Sequence, residues 1–291
     1  TLYQKVWQVL NFHLTLQNVF IEWEVKMKVF ISADIEGVTG VTSWCETRYG
    51  GQGYESACKQ MTLEVAAACR AAMKLGYDVV VKDGHEDALN IDMEQLPEGV
   101  QLIRGWMTSP ASMMGGLDES FDAAIYIGYH SPEGSDTSPL AHTIEHDLFN
   151  WIKINGELAS EFLLNALWAT AHKVTSVFIS GDAGICQLAK KSHPEIVTVA
   201  TKKGIGNAAW NIHPKEAIAN IEKGVEKALK AQIGLMPIEK EYNMIINFKE
   251  HQNARRASWY PGARQIDSNM VEYIAKTPWE LSVAHMFMTG I

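Results

Sequence analysis

Carboxylate and imidazole side chains follow directly after three short apolar runs of the sequence. Asp34 and Glu36 follow the first run, His85 follows the second, and His130 follows another. Aspartate, glutamate and histidine without cysteine are typical of zinc or manganese in a hydrolytic site rather than of structural zinc. Because Asp34 and Glu36 are two positions apart, an extended chain places both carboxylates on one face. These four residues therefore indicate a candidate metal site.

A site of this composition could hold two metal ions. Two cations about 3.5–4 Å apart need about five protein ligands, one of them shared. Each residue alone carries little weight, since a histidine after a strand is commonly a loop or core residue. Their occurrence together favours a metal site, because buried unpaired carboxylates are costly unless a cation or a partner compensates them. The four candidates leave one ligand to be found.

Strands that alternate with helices must position these side chains. Strands are predicted over residues 29–31, 77–81, 123–129 and 176–180. Helices are predicted over residues 55–75 and 159–172, and from Pro214 onward. Apolar strands between amphipathic helices are typical of a parallel sheet covered on both faces, in which ligands bind outside the carboxyl ends of the strands. We therefore expect an α/β fold, a mostly parallel sheet with helices on both faces, with the ligand types along one edge.

The pattern changes after Pro237 and suggests how the chain is divided. Residues 242–248 form an extended run, a polar loop follows, and a last helix begins near Pro278. We interpret residues 27–236 as the α/β metal-binding catalytic domain and residues 237–291 as a smaller C-terminal α+β portion packed on it. Residues 1–26 lack the features of a secretory signal, so we expect an upstream or non-native extension that could also lengthen the first strand.

The composition argues against several classes of function. The 291 residues include 25 Lys and Arg against 34 Asp and Glu, which gives a net charge of −9. This acidity argues against binding to nucleic acid or to an anionic membrane. No stretch of about 18 uncharged apolar residues predicts a membrane-spanning segment. Four cysteines without a C-x-x-C pair favour a reducing, cytoplasmic setting.

The first metal-ligand motif also carries a family resemblance. Ser32-Ala33-Asp34-Ile35-Glu36-Gly37 resembles the S-x-D-x-E-G signature of the DppA-type zinc D-aminopeptidases. Further motifs keep that family's order, and the resemblance extends from Met27 nearly to the C-terminus. These motifs are Asp83-Gly84-His85, Gly128-Tyr129-His130, Ala141-His142-Thr143, Glu161 with Leu164-Asn165-Ala166, and Gly181-Asp182. The signature in register with two histidines and a glutamate is far more specific than the signature alone.

The resemblance implies a metal-ligand role for five residues. Asp34 matches the carboxylate that bridges two zinc ions in the family. Glu36 and His85 match the remaining ligands of one zinc, and His130 and Glu161 match the ligands of the other. The resemblance thus implies two Zn²⁺ per subunit, with Mn²⁺ as an alternative cation.

The resemblance also bears on His142 and Glu157. His142 resembles a further active-site histidine of the family, which would stabilise the oxyanion or handle a proton. Glu157 follows Gly156 and superficially resembles the family's glutamate before its helix. The spacing to Asn165 and to Gly181 favours Glu161 instead.

By resemblance, the reaction is hydrolysis of the peptide bond next to an N-terminal D-amino acid in short peptides. A hydroxide held between two cations is nucleophilic near neutral pH, and the cations polarise the scissile carbonyl. The family assembles into large rings that enclose the active sites. The resemblance therefore implies a homo-oligomeric, decamer-like ring with a short peptide as the substrate.

Three other readings of the sequence stay open. His142-Thr143-Ile144-Glu145-His146 matches H-x-x-E-H, the signature of single-zinc peptidases, although that motif needs a helix and this segment leads into a predicted strand. The same ligands would also suit another two-metal amidase or hydrolase with a non-peptide substrate. A catalytically idle, metal-stabilised assembly protein is the third alternative.

Overall fold

The computed structural model describes residues 26–290, so the predicted extension over residues 1–26 lies outside the described part of the chain except for Lys26. In chain order the strands are β1 (Lys28–Ala33), β2 (Asp78–Asp83), β3 (Gln101–Ile103), β4 (Ala123–Tyr129), β5 (Phe149–Ile154), β6 (Glu157–Leu158), β7 (Thr175–Asp182), β8 (Val197–Ile205), β9 (Ala208–Asn211), β10 (Tyr242–Phe248), β11 (Arg264–Gln265) and β12 (Met270–Ala275). The helices are α1 (Tyr54–Lys74), α2 (Glu161–Ala171), α3 (Ala183–Ser192), α4 (Pro214–Lys230), α5 (His251–Ala257) and α6 (Pro278–Thr289).

A seven-stranded sheet forms the larger layer, in the order β3-β2-β1-β4-β7-β8-β9. Every neighbouring pair is parallel except β8 with β9. Strand β1 lies between β2 and β4, so the connections run outward in opposite directions from this point. Such a switch point opens a crevice at the carboxyl ends of the strands. The predicted α/β fold with a mostly parallel sheet is confirmed.

Both faces of this sheet are buried, because side chains alternate along each strand. In β1, Val29 and Ile31 pack into one apolar cluster with α1 and α4. Phe30 points to the other side, into a cluster shared with α2 and α3. Helix α1 ends where predicted, since Gly76 adopts a φ of +87° just past its last turn.

A five-stranded sheet in the order β11-β12-β10-β5-β6 forms the smaller, antiparallel portion. Helix α6 contacts β12 and β10 on one side and α2 on the other, so it connects the two sheets. Strands β5 and β6 come from the middle of the chain, before α2. The sheet therefore combines residues on both sides of Pro237, and the division at residue 237 stays a prediction.

Several further elements are not predicted by the sequence pattern. Helix α3 follows Asp182, whose carboxylate caps it by accepting a hydrogen bond from the backbone of Ile185 at 2.8 Å. Strands β8 and β9 form a partly exposed hairpin with a weaker apolar pattern.

The described residues contain no helix that is both long enough and apolar enough to span a bilayer.

A buried glutamate in α1 makes stability depend on pH. Glu64 accepts hydrogen bonds from the backbone of Thr39 and from Gln60, both at 3.1 Å, while its second oxygen has no partner. Burial raises the pKa of Glu64 from 4.5 to about 7. The folded protein thus retains this proton up to about pH 7, whereas the unfolded chain loses it near pH 4.5. The contribution of Glu64 to stability therefore falls as the pH rises through that window.

We expect Glu64→Gln to stabilise the metal-free protein at pH 8 by about 2 to 3 kcal/mol, because the neutral amide avoids burying a charge. The gain should shrink towards zero below pH 5. Urea unfolding at both pH values measures the difference. Glu55→Gln, at an exposed position of the same helix, is the matched control. An equal effect of Glu64→Gln at the two pH values would contradict the prediction.

Candidate metal centre

The loop after β1 carries the first two predicted ligands into the protein interior. Asp34 and Glu36 are both nearly inaccessible to solvent, with exposed fractions of 2% and 1%. The backbone of Ile35 donates a hydrogen bond to Asp34 Oδ1 at 2.9 Å. Asp34 Oδ2 and Glu36 Oε2 have no hydrogen-bond partner. Each side chain therefore presents one buried oxygen that is available to a cation.

Two glycines allow the ends of β1 and β4 to come close together. The backbone N–H of Gly37 donates to Gly128 O at 2.7 Å. A Cβ atom on Gly37 would lie only 1.8 Å from the carbonyl oxygen of Tyr129. Gly128 has a φ of +75°, and a Cβ there would lie 2.2 Å from the carbonyl oxygen of Asp34. The glycine of the S-x-D-x-E-G motif is thus required by the packing of the two strand ends.

His85 reaches the same point from the end of β2. Its Nε2–H donates to the backbone carbonyl of Thr47 at 2.7 Å. The Nδ1 atom therefore faces the carboxylates, 3.1 Å from Glu36 Oε2 and 3.4 Å from Asp34 Oδ1. A backbone acceptor on the remote nitrogen is the usual way in which proteins orient a metal-binding imidazole.

His130, directly after β4, is oriented in the same manner. Its Nδ1–H donates to Ser131 O at 2.9 Å. Its Nε2 lies 3.3 Å from Asp34 Oδ2 and 3.3 Å from Glu161 Oε2, and has no hydrogen-bond partner. Asp34 therefore lies between the two histidines, with one oxygen facing each.

The structure brings Glu161, rather than Glu157, into this cluster. Glu161 is the first residue of α2 and is 3% exposed, and its Oε1 accepts a hydrogen bond from the backbone of Ile144 at 2.7 Å. Glu157 lies on β6 and forms an exposed ion pair with Lys191 at 2.6 Å. A role for Glu161 as the fifth ligand is consistent with this placement and stays a prediction.

His142 completes the group of predicted site residues. Its ring stacks on His130 with centroids 4.0 Å apart. Its Nδ1–H donates to Leu140 O at 3.0 Å, so Nε2 faces the interior, 3.5 Å from Glu161 Oε1. Burial lowers the pKa of His142 below 6.5, and the neighbouring His130 acts in the same direction.

The electrostatics of the cluster favour a bound cation. Burial alone would raise the pKa of Asp34, but the neighbouring imidazoles of His130 and His85 hold it well below 3.8. Burial lowers the pKa of each of these histidines, but Glu36 at His85 and Glu161 at His130 outweigh it and raise both pKa values well above 6.5. Protons thus balance the carboxylates where no metal is bound, and a divalent cation would replace them.

The ligand atoms are close enough for metal binding. Within the described residues, one ligand atom from each of Asp34, Glu36 and His130 lies within 4.8 Å of the others, and the same holds for His130, His142 and Glu161. Both groups are fully buried and consist of carboxylate and imidazole. The two overlapping groups, together with the unpartnered oxygens, fit the donor set that zinc or manganese requires.

Sequence reasoning missed Lys202, which holds the ligand-bearing loop in place. This lysine of β8 is 3% exposed. Its ammonium donates to the backbone carbonyls of Glu36, Val38 and Val41. Burial lowers the pKa of Lys202 to about 8. A lysine on a partly exposed strand gives no sequence signal of this role, because its partners are backbone atoms distant in the chain.

His285 of α6 was also missed. It lines the cavity beside the cluster and is 8% exposed, and its Nε2 has no hydrogen-bond partner. Burial lowers the pKa of His285 to about 4, so the ring is neutral at pH 7. No motif surrounds this residue, and only the packing of α6 against α2 brings it to the site.

The cluster opens into a cavity of about 630 Å³, within the usual range for small-ligand sites. Trp106, Met113 and Met286 contribute apolar surface to its wall. The H-x-x-E-H segment at its rim is not helical, so the two histidines lack the geometry of the single-zinc motif. His142 faces the buried cluster, whereas His146 lies at the rim and stacks on Trp44.

Comparisons with known proteins find a matching family, a related sequence and a similar solved structure. A family model described as D-aminopeptidase matches residues 27–287. The chain is 27% identical over 270 residues to the D-aminopeptidase of Bacillus subtilis (strain 168), covering 91% of this chain and 97% of that protein. The solved structure of the Zn-dependent D-aminopeptidase DppA from Bacillus subtilis, described as a self-compartmentalizing protease, superposes with a TM-score of 0.84 at 26% identity. That superposition covers 91% of this chain and 97% of DppA.

These matches confirm the resemblance and the predicted enzyme class, a hydrolase of the metallo-aminopeptidase type. The family model spans both sheets and all six residues of the buried cluster. The chain therefore belongs to the D-aminopeptidase family.

Proposed function

We propose that this protein is a dinuclear zinc aminopeptidase that hydrolyses short peptides with an N-terminal D-amino acid. One observation carries the proposal: the buried atoms Asp34 Oδ2, Glu36 Oε2 and His130 Nε2 converge without hydrogen-bond partners. Burying such groups is unfavourable unless cations satisfy them. The family membership and the names of both relatives support the peptide bond as the target.

Five residues would hold the cations. Asp34 is proposed as the bridging ligand because its two oxygens face His85 and His130 separately. Glu36 and His85 would complete one site, and His130 and Glu161 the other. Two Zn²⁺ or Mn²⁺ ions bound there would activate a water molecule near neutral pH and polarise the scissile carbonyl.

The proposed role of His142 follows from which of its two ring nitrogens carries the proton. Its Nδ1–H is committed to Leu140 O, and its lowered pKa keeps the ring neutral, so Nε2 holds a lone pair. This nitrogen can accept a proton from the attacking water and deliver it to the leaving amine nitrogen. The T-shaped contact with Trp44, at 5.3 Å between centroids, limits rotation of the ring. His142 would thus act as the proton carrier rather than as a ligand.

We also propose that the protein forms a homo-oligomer, as the description of DppA as self-compartmentalizing suggests for that relative. Large exposed apolar side chains support this proposal, among them Trp210 at 74%, Trp259 at 73% and Phe287 at 65% exposure. A ring would restrict access to the cavity and favour short peptides. A two-metal amidase with a non-peptide substrate is the alternative that the same ligands would allow.

The central test combines metal analysis with a substrate panel. We expect about two zinc ions per chain by mass spectrometry, no activity after chelation, and restored cleavage of D-Ala dipeptides on adding Zn²⁺ or Mn²⁺. L-Ala dipeptides should be cleaved at least about 10-fold more slowly. Asp34→Ala should abolish activity, with Asp267→Ala at an exposed loop as the control. Full activity of Asp34→Ala would refute the mechanism, and cleavage of amides alone would favour the amidase.

The choice between two glutamates provides a second test. Glu161→Gln should lose about one metal ion per chain and most of the activity, because it removes a buried carboxylate of the cluster. Glu157→Gln is the matched control, since Glu157 is exposed and pairs with Lys191. Metal content by mass spectrometry distinguishes them. Loss of metal in Glu157→Gln alone would reverse the assignment.

His142→Ala should retain both metal ions and lose at least about 100-fold in kcat, since general acid–base residues contribute roughly 10²–10⁴-fold. Loss of a metal ion instead would make His142 a ligand. His146→Ala serves as the comparison, because it should also retain both metal ions. If both variants lost the same single zinc ion, the single-zinc alternative with His142 and His146 would be supported.

A further inference from the structure

The cavity beside the metal centre contains an isolated positive charge. Among the described residues that line it, Arg48 is the one lysine or arginine. Carboxylates dominate the rest of the charged lining: Asp34, Glu36, Glu86, Glu145, Asp147 and Glu161. Three of these belong to the proposed metal centre, and the other three lie towards the rim. Arg48 is exposed at this rim and is therefore accessible to a ligand.

Arg48 is held in place on two sides, one of which leads to the metal centre. It follows Thr47, whose carbonyl oxygen accepts the hydrogen bond from His85. Its Nη2 donates to His146 Nε2 at 2.9 Å. Because arginine has only donors, His146 Nε2 must carry its lone pair there. His146 is itself stacked on Trp44, with centroids 4.2 Å apart and planes 20° apart, so the guanidinium is held at the rim.

Most of the hydrogen-bonding capacity of Arg48 is unused. Within the described part of the chain the guanidinium makes one hydrogen bond, to His146, and no carboxylate lies within 4.0 Å of it. Arginine presents five N–H donors in a planar fork that fits a carboxylate bidentately. A carboxylate at this cavity rim would therefore gain two charge-assisted hydrogen bonds with little rearrangement of the protein.

A peptide supplies such a group in the correct direction. If its N-terminal residue lies at the metal centre, each further residue extends the chain by about 3.5 Å towards the rim. The C-terminal carboxylate of a short peptide then lies away from the metal centre, towards the opening of the cavity. On the basis of the proposed aminopeptidase function, we propose that Arg48 binds the C-terminal carboxylate of the substrate and favours peptides with a free carboxyl end.

The test compares D-Ala-D-Ala with its C-terminal amide, which has the same scissile bond and lacks the carboxylate. For the zinc-loaded protein we expect kcat/KM to be at least about 10-fold higher for the acid. In Arg48→Gln this acid-to-amide ratio should fall close to one, through an increase in KM for the acid. Arg48→Lys, which keeps the charge but not the fork, should give an intermediate ratio. Arg255→Gln, at an exposed arginine of α5, is the control and should not change the ratio.

A purely structural role of Arg48 predicts a different result. Equal losses for the acid and the amide, or an unchanged ratio in Arg48→Gln, would overturn the proposal.

Binding provides a second readout that needs no turnover. Calorimetric titration of both peptides into zinc-loaded His142→Ala, with and without Arg48→Gln, should show the same loss of preference for the acid. An acid preference that survives Arg48→Gln would overturn the proposal in this assay as well. If the wild-type protein cleaves neither peptide, the proposed function fails, while the titration still decides the role of Arg48.

Discussion

The convergence of buried negative charge at the carboxyl edge of the larger sheet is the constraint on which the rest of the structure depends. Asp34, Glu36 and Glu161 are each no more than 3% exposed, and two of them present an oxygen without a hydrogen-bond partner. Like charges in a poorly solvated site repel one another strongly unless protons or cations intervene. His85 and His130 supply protons, and the proposed metal ions would be the cations. The fold must therefore hold an arrangement that is unstable without compensation.

The residues that hold these carboxylates in place come from distant parts of the chain. The switch point at β1 brings three strand ends together, and Gly37 and Gly128 allow two of them to approach closely. Lys202 of β8 donates to three carbonyl groups of the ligand-bearing loop. The smaller sheet contributes by delivering Glu161, which begins the helix directly after β6. Each support acts on backbone position, so the ligand side chains have little freedom to move apart.

The cavity beside the centre is asymmetric, and this asymmetry bears on substrate recognition. Its inner end holds three buried carboxylates and suits cations, whereas the rim carries the guanidinium of Arg48 beside Glu86, Glu145 and Asp147. Arg48 is thus the lining group that can pair with the carboxylate of a short peptide. His285, which is neutral at pH 7, and the apolar residues of the wall add no charge to the cavity. Charge along the cavity can thus orient a substrate before any chemistry takes place.

The sequence by itself determined the alternation of strands and helices, the strands that carry Asp34, His85 and His130, and the preference for Glu161 over Glu157. These features are local, because hydrophobic periodicity and motif spacing reflect interactions between near neighbours in the chain. Only the tertiary structure decided that the smaller sheet takes β5 and β6 from the middle of the chain. It also decided that Lys202, Arg48 and His285 surround the centre. The hydrogen bonds of Arg48 and Lys202 join residues 98 to 166 positions apart, and no local pattern in the sequence records them.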